Sequence, residues 1–303
     1  MIREYALNPD ALVTDINIIQ RFFAEFGAEK GRVLADVPQK WSKSVLRGIQ
    51  QLGLKPIERS RCISMLAEID KHGMSPKSSV PMKDGDVWLD KIRESQAYED
   101  LHAILDLHAK EDPKVFSYLN MLGETPTDWV LGHTESVERR AETMASAVSI
   151  SLRLARALHL ADPYFHPADD RYRLPLLKFI EEVKKGRAGL NKLIVHTVEQ
   201  THDTGVPKNR AELERGLIEH VQPCLPNGFQ VEIWIRAAGS MHDRFMLTDM
   251  VGYSFGHGLD EQTYHSGLKV NINRLAAKSR SEQWGLFANP QGRIGNALSI
   301  VGT

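Results

Sequence analysis

The chain has 303 residues, 42% hydrophobic and 25% charged, with a formal net charge of -1. This is the composition of a globular protein large enough for two cores, and it excludes a chain whose whole surface is a nucleic-acid-binding coat. No apolar run approaches the ~20 residues of a membrane span, and the start MIREYALNPDALVTD lacks the basic, apolar, small-residue order of a signal peptide, so a cytoplasmic protein without a transmembrane segment is expected.

In chain order, the first expected helix is capped by Thr14 or Asp15, carries Ile16, Ile19, Phe23 and Phe26 at three- and four-residue spacing, and ends at Gly27. A second begins after Pro38 with Trp41, Val45, Ile49 and Leu52 on one face, and a third uses Cys62, Leu66 and Ile69 and stops at Gly73. Residues 30 to 61 carry Lys30, Arg32, Lys40, Lys43, Arg47, Lys55, Arg59 and Arg61 against Asp36 and Glu58. That excess suits a nucleic-acid backbone contact through Lys40, Lys43 and Arg47, and equally a solvated helical face. Residues 1–73 are therefore expected to be a helical, partly basic region, either helix-turn-helix-like or a small bundle. The Gly, Pro and Ser cluster at 73–87 opens a linker and mixed α/β connecting segment over 74–133, with a strand near Leu101 to Leu107.

From residue 134 the pattern alternates. Thr134 is expected to cap a long helix with Val137, Ala141, Met144, Val148, Leu152 and Ala155 facing inward. A strand at Ala157 to Asp162, a helix around Leu174 to Val183, a strand at Leu193 to Val198, a helix from Ala211 to Val221 and a strand containing Phe229, Val231, Ile233 and Ile235 follow. This predicts an α/β class: a helical N-terminal region, then a domain over 134–303 with a mixed sheet flanked by helices. The two cysteines, Cys62 and Cys224, stand alone and read as reduced, buried thiols.

The chemistry-bearing stretch is His242-Asp-Arg244-Phe-Met-Leu-Thr-Asp249, followed by Gly256-His-Gly258-Leu-Asp260. Phe245, Met246 and Leu247 make a buried strand whose mouth carries His242 and Arg244 on one face and whose far end carries Asp249. The Gly256 to Gly258 turn offers backbone amides for close approach to an anion. This spacing resembles the phospholipase D superfamily motif, with Arg244 where that family has lysine and with one copy of the motif instead of two. The Asp162-Pro-Tyr164-Phe165 run is similar to the turn closing that family's first core strand, or is an Asp-Pro turn closing any strand. Tyr164, Arg171 and Asp260 join Asp162 as candidate rim residues.

The resemblance covers about residues 134–303. It implies that His242 attacks a phosphodiester, that Arg244 clamps its phosphate, and that Asp249 orients or charges the imidazole, with no metal or other cofactor. An active enzyme of this kind needs two histidines at one phosphate, so the single motif implies a homodimer placing His242 of each subunit across one cleft. Arginine is a planar fork and not a compact ammonium, which favours binding over turnover. The Gly-x-Gly-Leu-Asp variant is similar to the single-copy domain that follows the MIT domain in a eukaryotic membrane-remodelling family, which binds anionic lipid headgroups without catalysis. The layout also resembles bacterial phospholipase D-like proteins of phage-defence or mobile-element neighbourhoods, where protein partners in a multi-component system are expected. Three functions follow: a nucleic-acid-binding protein with little or no turnover, an active metal-independent nuclease, or an anionic-lipid-binding module.

Overall fold

A computed structural model of the chain describes residues 1–37, 39–76, 81, 83, 85–108, 110–122, 129–201, 207–262 and 267–303. The architecture is α/β, with helices on sheets, and the chain divides into two compact units: residues 2–132, and residue 1 with 133–303. Of the linker expected at 73–87, residues 77–80, 82 and 84 lie outside the described residues, as do His202 and His265.

The first unit runs β1 (Arg3–Leu7), α1 (Pro9–Leu12), α2 (Ile16–Glu25), β2 (Arg32–Leu34), α3 (Trp41–Gln51), α4 (Pro56–His72), α5 (Trp88–Arg93), β3 (Leu101–Asp106) and β4 (Val115–Ser117). Its strands form one parallel sheet in the order β2-β1-β3-β4. The three anticipated helices are present: Asp15 accepts the amides of Asn17 and Ile18 to start α2, and α3 and α4 bury the expected stripes. They form neither a free-standing bundle nor a region ending at residue 73. Tyr5, Leu7, Leu34 and Leu105 meet α2, α3 and α4 in one core, and Ala6 and Ile104 meet Trp88, Leu89 and Ile92 of α5 in another. Parallel strands covered on both faces carry no polar alternation, which is why β1 and β2 leave no periodic trace.

The second unit runs β5 (Thr134–Glu138), α6 (Ala141–Ala147), α7 (Ser149–Leu154), β6 (Leu158–Ala161), α8 (Asp170–Lys185), β7 (Lys192–Val198), β8 (Gln200–Thr201), β9 (Pro207–Lys208), α9 (Arg210–Gly216), β10 (Gln230–Arg236), β11 (Phe245–Thr248), β12 (Gly252–Phe255), β13 (Lys269–Arg274), α10 (Ala277–Phe287) and β14 (Leu298–Val301). Eight of these strands make a mixed sheet in the order β14-β10-β7-β6-β11-β12-β13-β5. Strands β6, β7 and β10 are mutually parallel, and β11 runs antiparallel to β6. The carboxyl ends of the parallel strands and the entry to β11 therefore share one rim, the place where open α/β sheets bind ligands.

Thr134 does not cap a helix. It belongs to an exposed edge strand, with Asn271 opposite Ser136, and its hydroxyl donates to the Asn273 side chain at 2.7 Å. Pairing with a segment more than 130 residues away replaced the local signal. The apolar stripe at Ala141, Met144, Val148, Leu152 and Ala155 is buried as anticipated, but the helix breaks at Val148 into α6 and α7. Cys62 is buried as expected, whereas Cys224 is exposed, contrary to expectation.

Candidate functional site

The rim is built from the turn after β6, the loop before β11 and the turn after β12. Asp162 closes β6: its Oδ1 accepts the Tyr164 amide at 2.9 Å and its Oδ2 accepts the Leu259 amide at 3.0 Å. Its own amide donates to the His196 carbonyl at 3.0 Å. The carboxyl thus ties the β6 turn to the β12 turn, a structural role in which both oxygens are committed. Burial pushes its pKa up, and nearby Asp260 pushes the same way, against the two amides and the Arg244 charge.

Asp260 is the second buried carboxylate, and it takes two arginines. Arg139 and Arg171 each donate a guanidinium Nη2 to it, one to each oxygen. Arg139 also donates to the Asp260 carbonyl at 3.2 Å and to the His257 carbonyl at 2.6 Å, which pins the whole turn. Arg171 is consequently charge-paired through one Nη2, with its side chain 40% exposed. Gly258 stands at the centre of this knot with φ +120°, and a Cβ there would lie 2.4 Å from Asp260 Oδ1.

The expected anion cradle of amides is not formed. The Gly256 amide donates to the Asn271 carbonyl at 3.0 Å, the Gly258 amide to the Phe255 carbonyl at 3.4 Å, and the Leu259 amide to Asp162. Each donor is spent inside the protein, so Gly256 and Gly258 shape the rim without offering a hydrogen bond to a phosphate.

Arg244 is in a different state. Its guanidinium lies 4.9 Å from the Tyr164 ring centre, an arrangement that holds the cation by the ring's π face. Its Nη1 donates to the His242 carbonyl at 3.3 Å, and its buried Nε has no hydrogen-bond partner among the described residues. It forms no ion pair with a described carboxylate. A guanidinium has five N–H donors, so most of this one's capacity is open. His242 is exposed, and its ring hydrogen-bonds to none of the described residues. His242, Arg244, Tyr164 and the Asp162 turn are thus brought to one rim.

Asp249 is not. It follows β11 at the end opposite His242, where its Oδ1 accepts the Arg156 amide at 2.8 Å and the Ala157 amide at 3.4 Å. The four residues of β11 intervene, and at about 3.3 Å per residue the strand alone spans about 13 Å. Asp249 anchors the start of β6 and does not orient the His242 imidazole.

No family model matches the chain, and no curated protein matches it. Among solved structures, TrmBL2, described as an archaeal chromatin protein with a novel mode of DNA binding, aligns over 95% of this chain and 100% of its own with 13% sequence identity and a TM-score of 0.30. A likeness that low carries no argument about fold or function. No described helix is long and apolar enough to cross a membrane.

Two features of the rim's foundations escape motif reading. Lys208 is fully buried, donates its Nζ to the Pro163 carbonyl and to Thr197 Oγ1, and is lowered to about 8 by desolvation, against the pull of Asp162. It braces the Asp162 turn from beneath. Separately, His159 and His196 form a buried stacked pair, Nδ1 to Nε2 at 2.9 Å, with Arg236 Nε donating to His196 Nδ1 at 3.2 Å. Among the candidate backbone contacts of the first unit, Lys43 and Arg47 are exposed one helical turn apart on α3. Lys40 is exposed at the helix N-cap with a left-handed φ of 66°. None of the three forms an ion pair with a described carboxylate. Other cations of that stretch are structural: Lys30 donates to the Phe23 and Phe26 carbonyls, and Arg32 to those of Glu25 and Trp129.

Proposed function

We propose that the protein binds a phosphodiester at the rim of its second unit in the manner of a phospholipase D-like domain, that its ligand is nucleic acid, and that it turns over little or not at all. One observation carries the reading: Arg139 and Arg171 share the Asp260 carboxylate, whereas Arg244 forms no ion pair with a described carboxylate, has a buried Nε without a hydrogen-bond partner among the described residues, and lies two residues from an exposed histidine. An uncommitted guanidinium held against an aromatic ring is a phosphate grip, with planar donors matched to two phosphate oxygens. Nucleic acid is favoured over a lipid headgroup by the exposed, unpaired Lys40, Lys43 and Arg47, which form a second anion-attracting patch. Weak turnover follows from the distance of Asp249, which leaves the His242 imidazole without a hydrogen-bonded carboxylate among the described residues, and from an arginine in place of a compact ammonium.

The test measures binding of labelled single-stranded DNA, double-stranded DNA, RNA and phosphoinositide vesicles to the full chain in EDTA. Arg244→Ala is expected to weaken nucleic-acid binding by roughly tenfold or more, the value of a charge-assisted hydrogen-bond pair. Lys40→Glu, Lys43→Glu and Arg47→Glu together are expected to weaken it further and flatten its dependence on salt. Binding to vesicles alone makes the protein a lipid module. Robust EDTA-resistant cleavage lost in His242→Ala makes it a nuclease and refutes the statement on turnover.

A further inference from the structure

We infer that the cleft at the carboxyl ends of β7 and β10 is a nucleobase subsite for the strand whose phosphate Arg244 grips, and that it takes a base presenting an amino donor beside a ring-nitrogen acceptor, cytosine or adenine. The inference rests on the phosphate-site reading above and adds to it a second point of contact and a base preference.

The cleft has a volume of about 320 Å³ and is lined by Glu199, Arg210, Ile235, Ile294, Gly295 and Asn296, all of the second unit. That volume lies at the lower end of small-molecule sites. Hydrogen bonds fix the frame. The Ile294 amide donates to the Ile235 carbonyl at 2.7 Å, Arg210 Nη2 to the Asn296 carbonyl at 2.9 Å, and Arg293 Nε to the Gly295 carbonyl at 2.9 Å. Ile235 is buried, and Ile294, 50% exposed, adds an apolar wall suited to the face of a flat ring.

The polar lining does not suit a second phosphate. Its one carboxylate and one guanidinium cancel in charge, and Glu199 Oε1 accepts the Arg210 amide at 2.8 Å. Glu199 Oε2 and the exposed Asn296 side-chain amide hydrogen-bond to none of the described residues. A carboxylate can only accept and a side-chain amide can donate. The pair therefore matches the amino group and ring nitrogen of cytosine or adenine, and mismatches the carbonyl oxygens of thymine.

Sheet register places the cleft relative to Arg244. Phe245 pairs with Ala161, Ala161 with His196 and His196 with Trp234, a continuous row across β11, β6, β7 and β10. Neighbouring strands lie about 4.8 Å apart, so the row measures about 14 Å. Arg244 precedes Phe245 and Ile235 follows Trp234, so each stands one residue further toward the rim. Thr197 Oγ1 and Lys208 Nζ hold the Pro163 carbonyl in the turn after β6, which stiffens the rim between the two points. A few nucleotides of extended single strand span this interval, with a phosphate on Arg244 and a base in the cleft.

The experiment measures binding of fluorescein-labelled single strands of one length to the full chain in EDTA: oligo(dC), oligo(dA), oligo(dT) and an abasic strand. The wild-type protein is expected to bind oligo(dC) or oligo(dA) at least about fivefold more tightly than oligo(dT), and the abasic strand most weakly. Glu199→Gln, whose amide can also donate, is expected to lose that preference, and Asn296→Ala to weaken the preferred strand about fivefold. Both variants should keep the affinity for the abasic strand. Both side chains are exposed, and Asn296→Ala leaves the carbonyl that Arg210 holds, so folding is preserved and unchanged thermal unfolding checks this. Arg244→Ala is expected to weaken all four strands by one factor. Equal wild-type affinity for all four strands overturns the base subsite, as does a preference that survives in both cleft variants. If Arg244→Ala is still weakened in those cases, the phosphate-site reading stands. Wild-type binding by Arg244→Ala, with the cleft variants altered, overturns the phosphate site and the link between the two points. Binding of none of the strands overturns both.

Discussion

Lowering the pH from 7 to 4.5 should cost the second unit stability through the buried His159 and His196 pair. Arg236 can only donate, so His196 Nδ1 must be unprotonated, and the His196 Nε2 proton must then point at His159 Nδ1. A proton added to His159 Nδ1 would set two N–H groups against each other beside a guanidinium. Desolvation and the Arg236 charge accordingly lower His159 to about 4, and the same causes, with His159 itself, lower His196. The unfolded chain takes up these protons near pH 6.5, so below that pH it binds more protons than the folded protein. The contribution is complete above pH 6.5 and is lost as the pH falls toward 4. At 1.36 kcal/mol per unit, the His159 shift removes on the order of 2 to 3 kcal/mol by pH 4.5, and His196 adds loss of the same sign. Hydrogen exchange of the β6 and β7 amides at pH 7.0, 5.5 and 4.5, corrected for intrinsic rates, reads the opening free energy of this unit. His159→Gln keeps an acceptor for the His196 proton and should remove the His159 share of the slope, leaving the His196 share. An opening free energy that is level or rises between pH 6.5 and 4.5 would refute the neutral-pair reasoning.

Two further outcomes follow from the rim. Asp260→Asn should destabilise the second unit by about 3 kcal/mol in urea unfolding, because Arg139 loses its buried counter-charge, while the 40%-exposed Arg171 side chain adds little; a loss under 1 kcal/mol would mean that the two ion pairs contribute no net stability. Asp249→Ala should cost about 1 to 2 kcal/mol by leaving the Arg156 and Ala157 amides unpaired, with nucleic-acid affinity unchanged. Lost affinity at intact stability would return Asp249 to the imidazole.

Local chemistry was legible wherever it acts within a few residues. The helix at Ile16–Glu25 declares itself by a cap and a 3.6-residue stripe, and those at Trp41–Gln51 and Pro56–His72 by the stripe, because these signals are satisfied within the segment. The buried runs that became β6, β7, β10 and β11 were legible as strands for the same reason, and the turns at Asp162 and Gly258 by their residue types. The resemblance drew His242, Arg244 and Asp249 together as one motif on spacing alone. Tertiary structure decided what spacing cannot carry. Parallel pairing made the first unit an α/β sheet, since β1 and β2 are hydrogen-bonded only to strands distant in sequence. Thr134 entered a strand because its partner lies at Asn273. The site was decided by charge accounting in three dimensions. Asp260 consumes Arg139 and Arg171, the ladder and turns consume the glycine amides, and a four-residue strand carries Asp249 to the opposite edge. Which donors remain open for an anion depends on which are already paired within the fold, and that pairing is set by contacts as much as 121 residues apart in the chain.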